Sequence, residues 1–156
     1  TTVDASVRGK STAEDHRSAV ASFVQSLLNV ADREEGGIGA QVRLIAEIQK
    51  NSASSTVAAM TKVESRSGLK TLFIGSDYKN LGILRSEMVK TENNLARLNT
   101  LLASTTSATD RATLEAQITA LTADQAKIKG FVTTHENTFS FFGWFAKLFV
   151  KTDTEN

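Results

Sequence analysis

Residues 81–102 read LGILRSEMVKTENNLARLNTLL, and residues 114–135 read LEAQITALTADQAKIKGFVTTH. In the first, Leu81, Leu84, Met88, Thr91, Leu95, Leu98 and Leu102 fall three and four apart in alternation. In the second, Leu114, Ile118, Leu121, Gln125, Ile128, Val132 and His135 repeat the step. That spacing keeps one stripe of a helix turned toward a partner helix. Ser104 to Asp110 between them is a serine- and threonine-rich break, which predicts an antiparallel return. Folded back, Leu102 meets Leu114, Leu98 meets Ile118, Leu95 meets Leu121, Met88 meets Ile128 and Leu84 meets Val132. Thr91 then lands opposite Gln125, a polar layer that would fix the register at some cost in stability. A slip of one heptad would set that hydroxyl and amide against apolar residues.

Upstream, Ser11-Thr12-Ala13-Glu14 has the form of a capping box, in which serine and glutamate satisfy each other's free backbone N–H groups. It predicts a first helix starting there, after a mobile arm over residues 1–10. Val20, Phe23, Val24, Leu27, Leu28 and Ala31 lie on one broad face of that helix. Gly36-Gly37-Ile38-Gly39 should end it near Glu35, because glycine tolerates left-handed geometry. A second helix follows from about Ala40 to Arg66, led by Ile38, Val42, Ile45 and Ile48. Its middle, Asn51 to Thr56, is small and polar, which reads as a poorly buried turn or, alternatively, as a place of close helix approach. Ser67-Gly68 ends it, Leu69 to Asp77 is a connector with the apolar run Leu72-Phe73-Ile74, and Asp77 is a candidate cap for the third helix.

The chain of 156 residues has no proline, where about eight would be expected at ~5% usage. Since proline breaks helix interiors, its absence suits long uninterrupted helices. The fold class that follows is all-α. Four helices form two antiparallel helical hairpins, over residues 11–67 and 77–135, within a single helical domain, 11–156. The two hairpins either stack as a bundle or lie end to end as an elongated coiled-coil rod.

Residues 139–150, FSFFGWFAKLFV, hold five of the eight phenylalanines and the one tryptophan. They form the core of an aromatic C-terminal segment, 136–151. As a helix it would be apolar almost all round, with Lys147 its sole charge, so one buried flank does not suffice. The spacing of the second seam continues through Phe139, Phe142, Ala146 and Phe149, so the segment either prolongs the fourth helix or bends at Glu136-Asn137-Thr138 or Gly143. It is too short to span a bilayer, which needs about 20 apolar residues. Three coverings are open: the chain's own helices beside the connector, a second copy or another protein, and a lipid interface. Phe139, Phe141, Phe142, Trp144, Phe145, Leu148 and Phe149 are the candidate interaction residues.

Chemistry is hard to find. A net charge of +1 gives no field for nucleic acid, and no basic stripe interleaves with aromatics. There is no cysteine, hence no disulfide, thiolate chemistry or thiolate metal site. His16 and His135 are the only imidazoles, and neither stands in a metal-ligand spacing. His16, near the start of a helix, reads as solvated, and His135 as part of a half-buried polar layer. No nucleophile elbow frames a serine. Gly36-Gly37-Ile38-Gly39 follows a helix, not a strand, and lacks the lysine of a phosphate loop. The sequence therefore points to no enzyme, no cofactor and no metal.

Four stretches in order, Gly36-Gly37-Ile38-Gly39 with Gln41-Val42-Arg43, Glu64 to Gly68, Phe73-Ile74-Gly75 with Tyr78, and Phe139 to Trp144, carry a resemblance. The chain resembles a family of small exported all-helical proteins from candidate-phylum bacteria. The resemblance implies a secretory signal removed ahead of Thr1 and a place in the cell envelope or outside the cell; it carries no catalytic residue across. The function expected is a non-enzymatic exported structural or adaptor protein. It would self-assemble, or dock to another envelope protein, through heptad faces and the aromatic segment. The alternative is a peripheral membrane binder inserting Phe141, Trp144, Phe145 and Leu148.

Overall fold

The fold, seen in a computed structural model, is a ring in which the described residues form four antiparallel helices: α1 Ala5–Arg33, α2 Ile38–Ser65, α3 Tyr78–Ser104 and α4 Ala108–Val150. The structure describes residues 5–34, 36–66 and 77–150, with side chains over 12–34, 36–66 and 77–136. Each helix packs on its chain neighbours, and α4 closes the ring against α1. The two hairpins thus stack as a bundle; the rod is excluded, because α2 lies along α3 and α1 along α4.

Short turns enforce this. Gly36 and Gly37 have φ of 67° and 86°, the left-handed conformation that stops α1 and starts α2. A Cβ on Gly39 would sit 2.5 Å from the carbonyl oxygens of both Ala31 and Glu34, so glycine lets α2 begin against the last turn of α1. The Asp77 carboxylate accepts from the Asn80 backbone N–H at 3.2 Å, the cap expected for α3. Burial by itself would raise the Asp77 pKa. Hydrogen bonds from the Asn80 side chain and backbone, with the fields of Arg66 and Lys62, together outweigh it and hold the carboxyl below its ordinary value. Ser107 accepts from the Asp110 N–H at 3.2 Å and caps α4.

Two apolar clusters fill the ring. One, near the 33–38 and 104–108 turns, joins Phe23, Leu27, Val42, Ile45, Leu98, Leu114 and Leu121, with Leu95, Leu102 and Ile118 packed on it. The other joins Met60, Leu81, Leu84, Ile128, Phe131 and Val132, with Met88 packed on it. The apolar layers expected of the second hairpin are therefore present: Leu95, Leu98 and Leu102 share a cluster with Leu114, Ile118 and Leu121, and Leu84 and Met88 share the other with Ile128 and Val132.

Several expectations need correction. Helix α1 covers Ala5–Arg33, so residues 5–10 are helical rather than part of an arm, and Ser11 lies inside the helix rather than at its cap. Ala5, Arg8 and Lys10 are good helix formers, and only Gly9 opposes propagation upstream. The buried line of α3 runs through Leu84, Glu87, Thr91, Asn94, Leu98 and Leu101, while Met88, Leu95 and Leu102 flank it. A helix in a ring has two neighbours, so its inward face is broader than one seam and here includes polar residues. The small stretch in α2 is not a poorly buried turn: Ser52, Ala53 and Thr56 are all buried, which makes close approach the correct reading. Finally, Thr91 is not paired with Gln125. Its hydroxyl lies 3.1 Å from Nε2 and 3.3 Å from Oε1 of Gln49 on α2.

Candidate functional site

Between the apolar clusters lies a belt of buried polar side chains contributed by all four helices. Gln49, fully buried, donates to Thr91 Oγ1 and accepts from Asn94 Nδ2 at 3.1 Å. The Ser52 hydroxyl donates to Glu87 at 2.6 Å, and Lys90 Nζ donates to the other oxygen of that carboxylate at 2.8 Å. His16 Nδ1 donates to Asp124 Oδ2 at 2.5 Å, tying α1 to α4. His16 is 2% and Asp124 3% exposed, so the solvated histidine expected from the sequence is instead a core residue. A signal was present: His16 falls three after Ala13 and four before Val20, on the buried heptad of α1.

A histidine oriented by an aspartate is half of a nucleophile-activating set. His16 Nε2 has no protein partner among the described residues, and neither has Gln125 Oε1. A buried belt of this kind serves register and pairing: each bond joins two specific helices, and a slip would orphan both ends. Among the described residues no group of three or more histidines, aspartates and glutamates is placed to hold a metal. His135 is half-buried, donates to the Phe131 carbonyl at 2.8 Å and packs on the Phe131 ring at 4.0 Å between centroids.

The outer face of the α1–α2 hairpin carries a groove of about 1060 Å³. Its floor is aliphatic and small: Val20, Ala21, Val24, Ala53, Val57 and Ala58. Alanines at three of these positions leave a trough between larger flanking residues. Arg17, Arg43, Lys50 and Lys62 stand around it, against Glu47 as the one acid. Arg17 pairs with Glu14 at 2.7 Å and Arg43 pairs with Asp32, exposed contacts of small energetic weight. The sequence reading missed this groove. Val24 and Leu28 were legible as part of the broad α1 face, but their partly uncovered state depends on where α2 sits.

The side chains of the expected interaction residues, Phe139, Phe141, Phe142, Trp144, Phe145, Leu148 and Phe149, lie outside the described residues, as does the connector run Leu72 to Ile74. The helix that carries the first set is described. Helix α4 runs to Val150 with no interruption at Gly143, so the aromatic segment prolongs the fourth helix. It has 43 residues where α3 has 27 and α1 has 29. Because α3 and α4 are joined by a tight turn at one end, the excess of about 14–16 residues, roughly 21–24 Å, emerges at the other. Among the described residues no helix is long and apolar enough to cross a membrane. No protein-family model, curated protein or solved structure matches the chain.

Proposed function

We propose that the protein is a non-enzymatic assembly module, a helical bundle that presents the end of α4 as an apolar plug for self-association or for docking to another envelope protein. The observation that carries the reading is the overlength of α4, whose final turns hold the aromatic segment. A helix that is apolar on all sides requires cover on all sides. Beyond the level where α1 and α3 begin, no two described helices flank it. The resemblance to exported helical proteins supports action in the cell envelope, which fractionation of producing cells would test.

Light scattering over a concentration series tests assembly directly. The whole chain should form a species larger than one copy, and a Phe142→Asp/Phe145→Asp variant should not. A chain that stays monomeric at high concentration and binds no envelope protein would sink the proposal. Vesicles of anionic lipid provide the competing outcome. A blue shift of Trp144 emission seen only when vesicles are added would transfer the segment's role to the membrane surface.

A further inference from the structure

We infer that a buried water molecule joins His16 to Gln125 inside the bundle, bonded to Nε2 of the one and to Oε1 of the other. Both atoms are buried, and no described residue is hydrogen-bonded to either. They belong to one turn of the α1–α4 contact. Asp124, which holds the other ring nitrogen of His16, is the residue before Gln125, and all three residues are 9% exposed or less. Gln125 is also the residue whose expected partner is engaged elsewhere, since the Thr91 hydroxyl is bonded to Gln49. Other donors of the belt are committed in the same way, Asn94 to Gln49, and Ser52 and Lys90 to Glu87. A buried acceptor left without a donor is costly, and native cores satisfy such groups with a side chain or with water.

The chemistry of the two atoms selects the ligand. With Nδ1–H donated to Asp124, a neutral imidazole leaves a lone pair on Nε2, and the Gln125 carbonyl is an acceptor as well. Two acceptors need one molecule with two hydrogens to give, and water has them. Were His16 charged, Nε2 would donate, and the same water would turn to accept from it while still donating to Gln125. Water therefore fits either protonation state of the imidazole. A metal ion fits less well, because among the described residues no three acidic or imidazole side chains converge. Bridging buried polar groups that lack a protein partner is the usual work of an internal water. Helix α4 is then tied to α1 by two consecutive residues, Asp124 directly and Gln125 through the water, which completes the belt across that seam.

Two measurements on the full chain test the bridge. A crystal structure that resolves ordered solvent should show a water within about 2.7–3.2 Å of both atoms. In solution, a water held at Nε2 should give nuclear Overhauser cross-peaks from the water resonance to both carbon-bound ring protons of His16, which flank that nitrogen. Gln125→Met keeps the length of the side chain and removes the amide, so in this variant the cross-peaks should be lost. Far-UV circular dichroism checks that the variant folds.

Cross-peaks that persist unchanged in a folded Gln125→Met protein would overturn the inference, because that water would not be held by Gln125. A wild-type crystal structure in which no water reaches both atoms, or in which a side chain is bonded to either, overturns it equally and does not depend on any variant folding.

Discussion

Replacing His16 with leucine leaves the Asp124 carboxylate, 3% exposed and bonded at 2.5 Å to that imidazole alone among the described residues, without a described partner in the core. Breaking a buried pair from one side in this way costs about 3–5 kcal/mol. Asp124→Leu is the milder change: it orphans His16 Nδ1 beside an Nε2 that already lacks a partner, roughly 1–3 kcal/mol. The double variant removes both polar groups at once. The site lies next to the cluster of Leu84, Ile128 and Phe131, so two leucines extend an apolar surface that is already present. Its stability should fall within about 1 kcal/mol of the wild type, or above it. Urea unfolding at constant slope reads all three midpoints. The signature is strong non-additivity, with the double variant far more stable than the sum of the single losses implies. If the two losses simply add, His16 and Asp124 are not energetically coupled across α1 and α4, and the account of the polar belt fails.

Other outcomes follow from the same structure. Gly39→Ala drives a methyl group to 2.5 Å from the carbonyl oxygens of Ala31 in α1 and Glu34 just after it, and should cost about 1–3 kcal/mol. Gly82→Ala, at an exposed helical position with nothing within 4 Å of the new Cβ, should instead stabilise by about 0.5–1 kcal/mol. Finding the same sign for both by thermal unfolding would contradict the packing at the α1–α2 turn. Gln49→Leu strands the Asn94 amide and the Thr91 hydroxyl and should cost about 2 kcal/mol in the same assay. Asp77→Ala should remove about 1 kcal/mol at neutral pH through loss of the α3 cap. Because the folded-state pKa of Asp77 is depressed, its contribution is fully present above the ordinary value of 3.8 and disappears as pH falls through the lower folded value. Wild type and variant should therefore converge in stability on acidification, and a constant gap down to the lowest pH would show that the carboxylate is not the cap.

How much was legible in advance differs from helix to helix. Leu84, Leu98, Leu114, Leu121 and Ile128 were readable as core because apolar side chains repeating at heptad spacing have one low-energy place to go. The double-glycine turn was equally readable, since only glycine takes the φ values found there without strain. Glu87, Asn94 and Asp124 were not, because hydropathy assigns such residues to solvent and only a partner on a neighbouring helix reverses the assignment. Ser52 and Thr56 looked like a weak place in α2 until Glu87 and the rest of the belt were seen beside them.

What the chain determined by local means is its division into four helices, their turns and the apolar layers of the second hairpin: backbone preference and side-chain period act within a single segment and need no knowledge of the others. What only the assembled ring decided is that the hairpins stack side by side, that His16 faces Asp124 across 108 positions of sequence, and that an aliphatic trough is left open on α1–α2. Those outcomes depend on which helix faces lie opposite each other. A polar group's burial, or a groove's opening, is a property of two or more surfaces brought together, and no one stretch of sequence contains it.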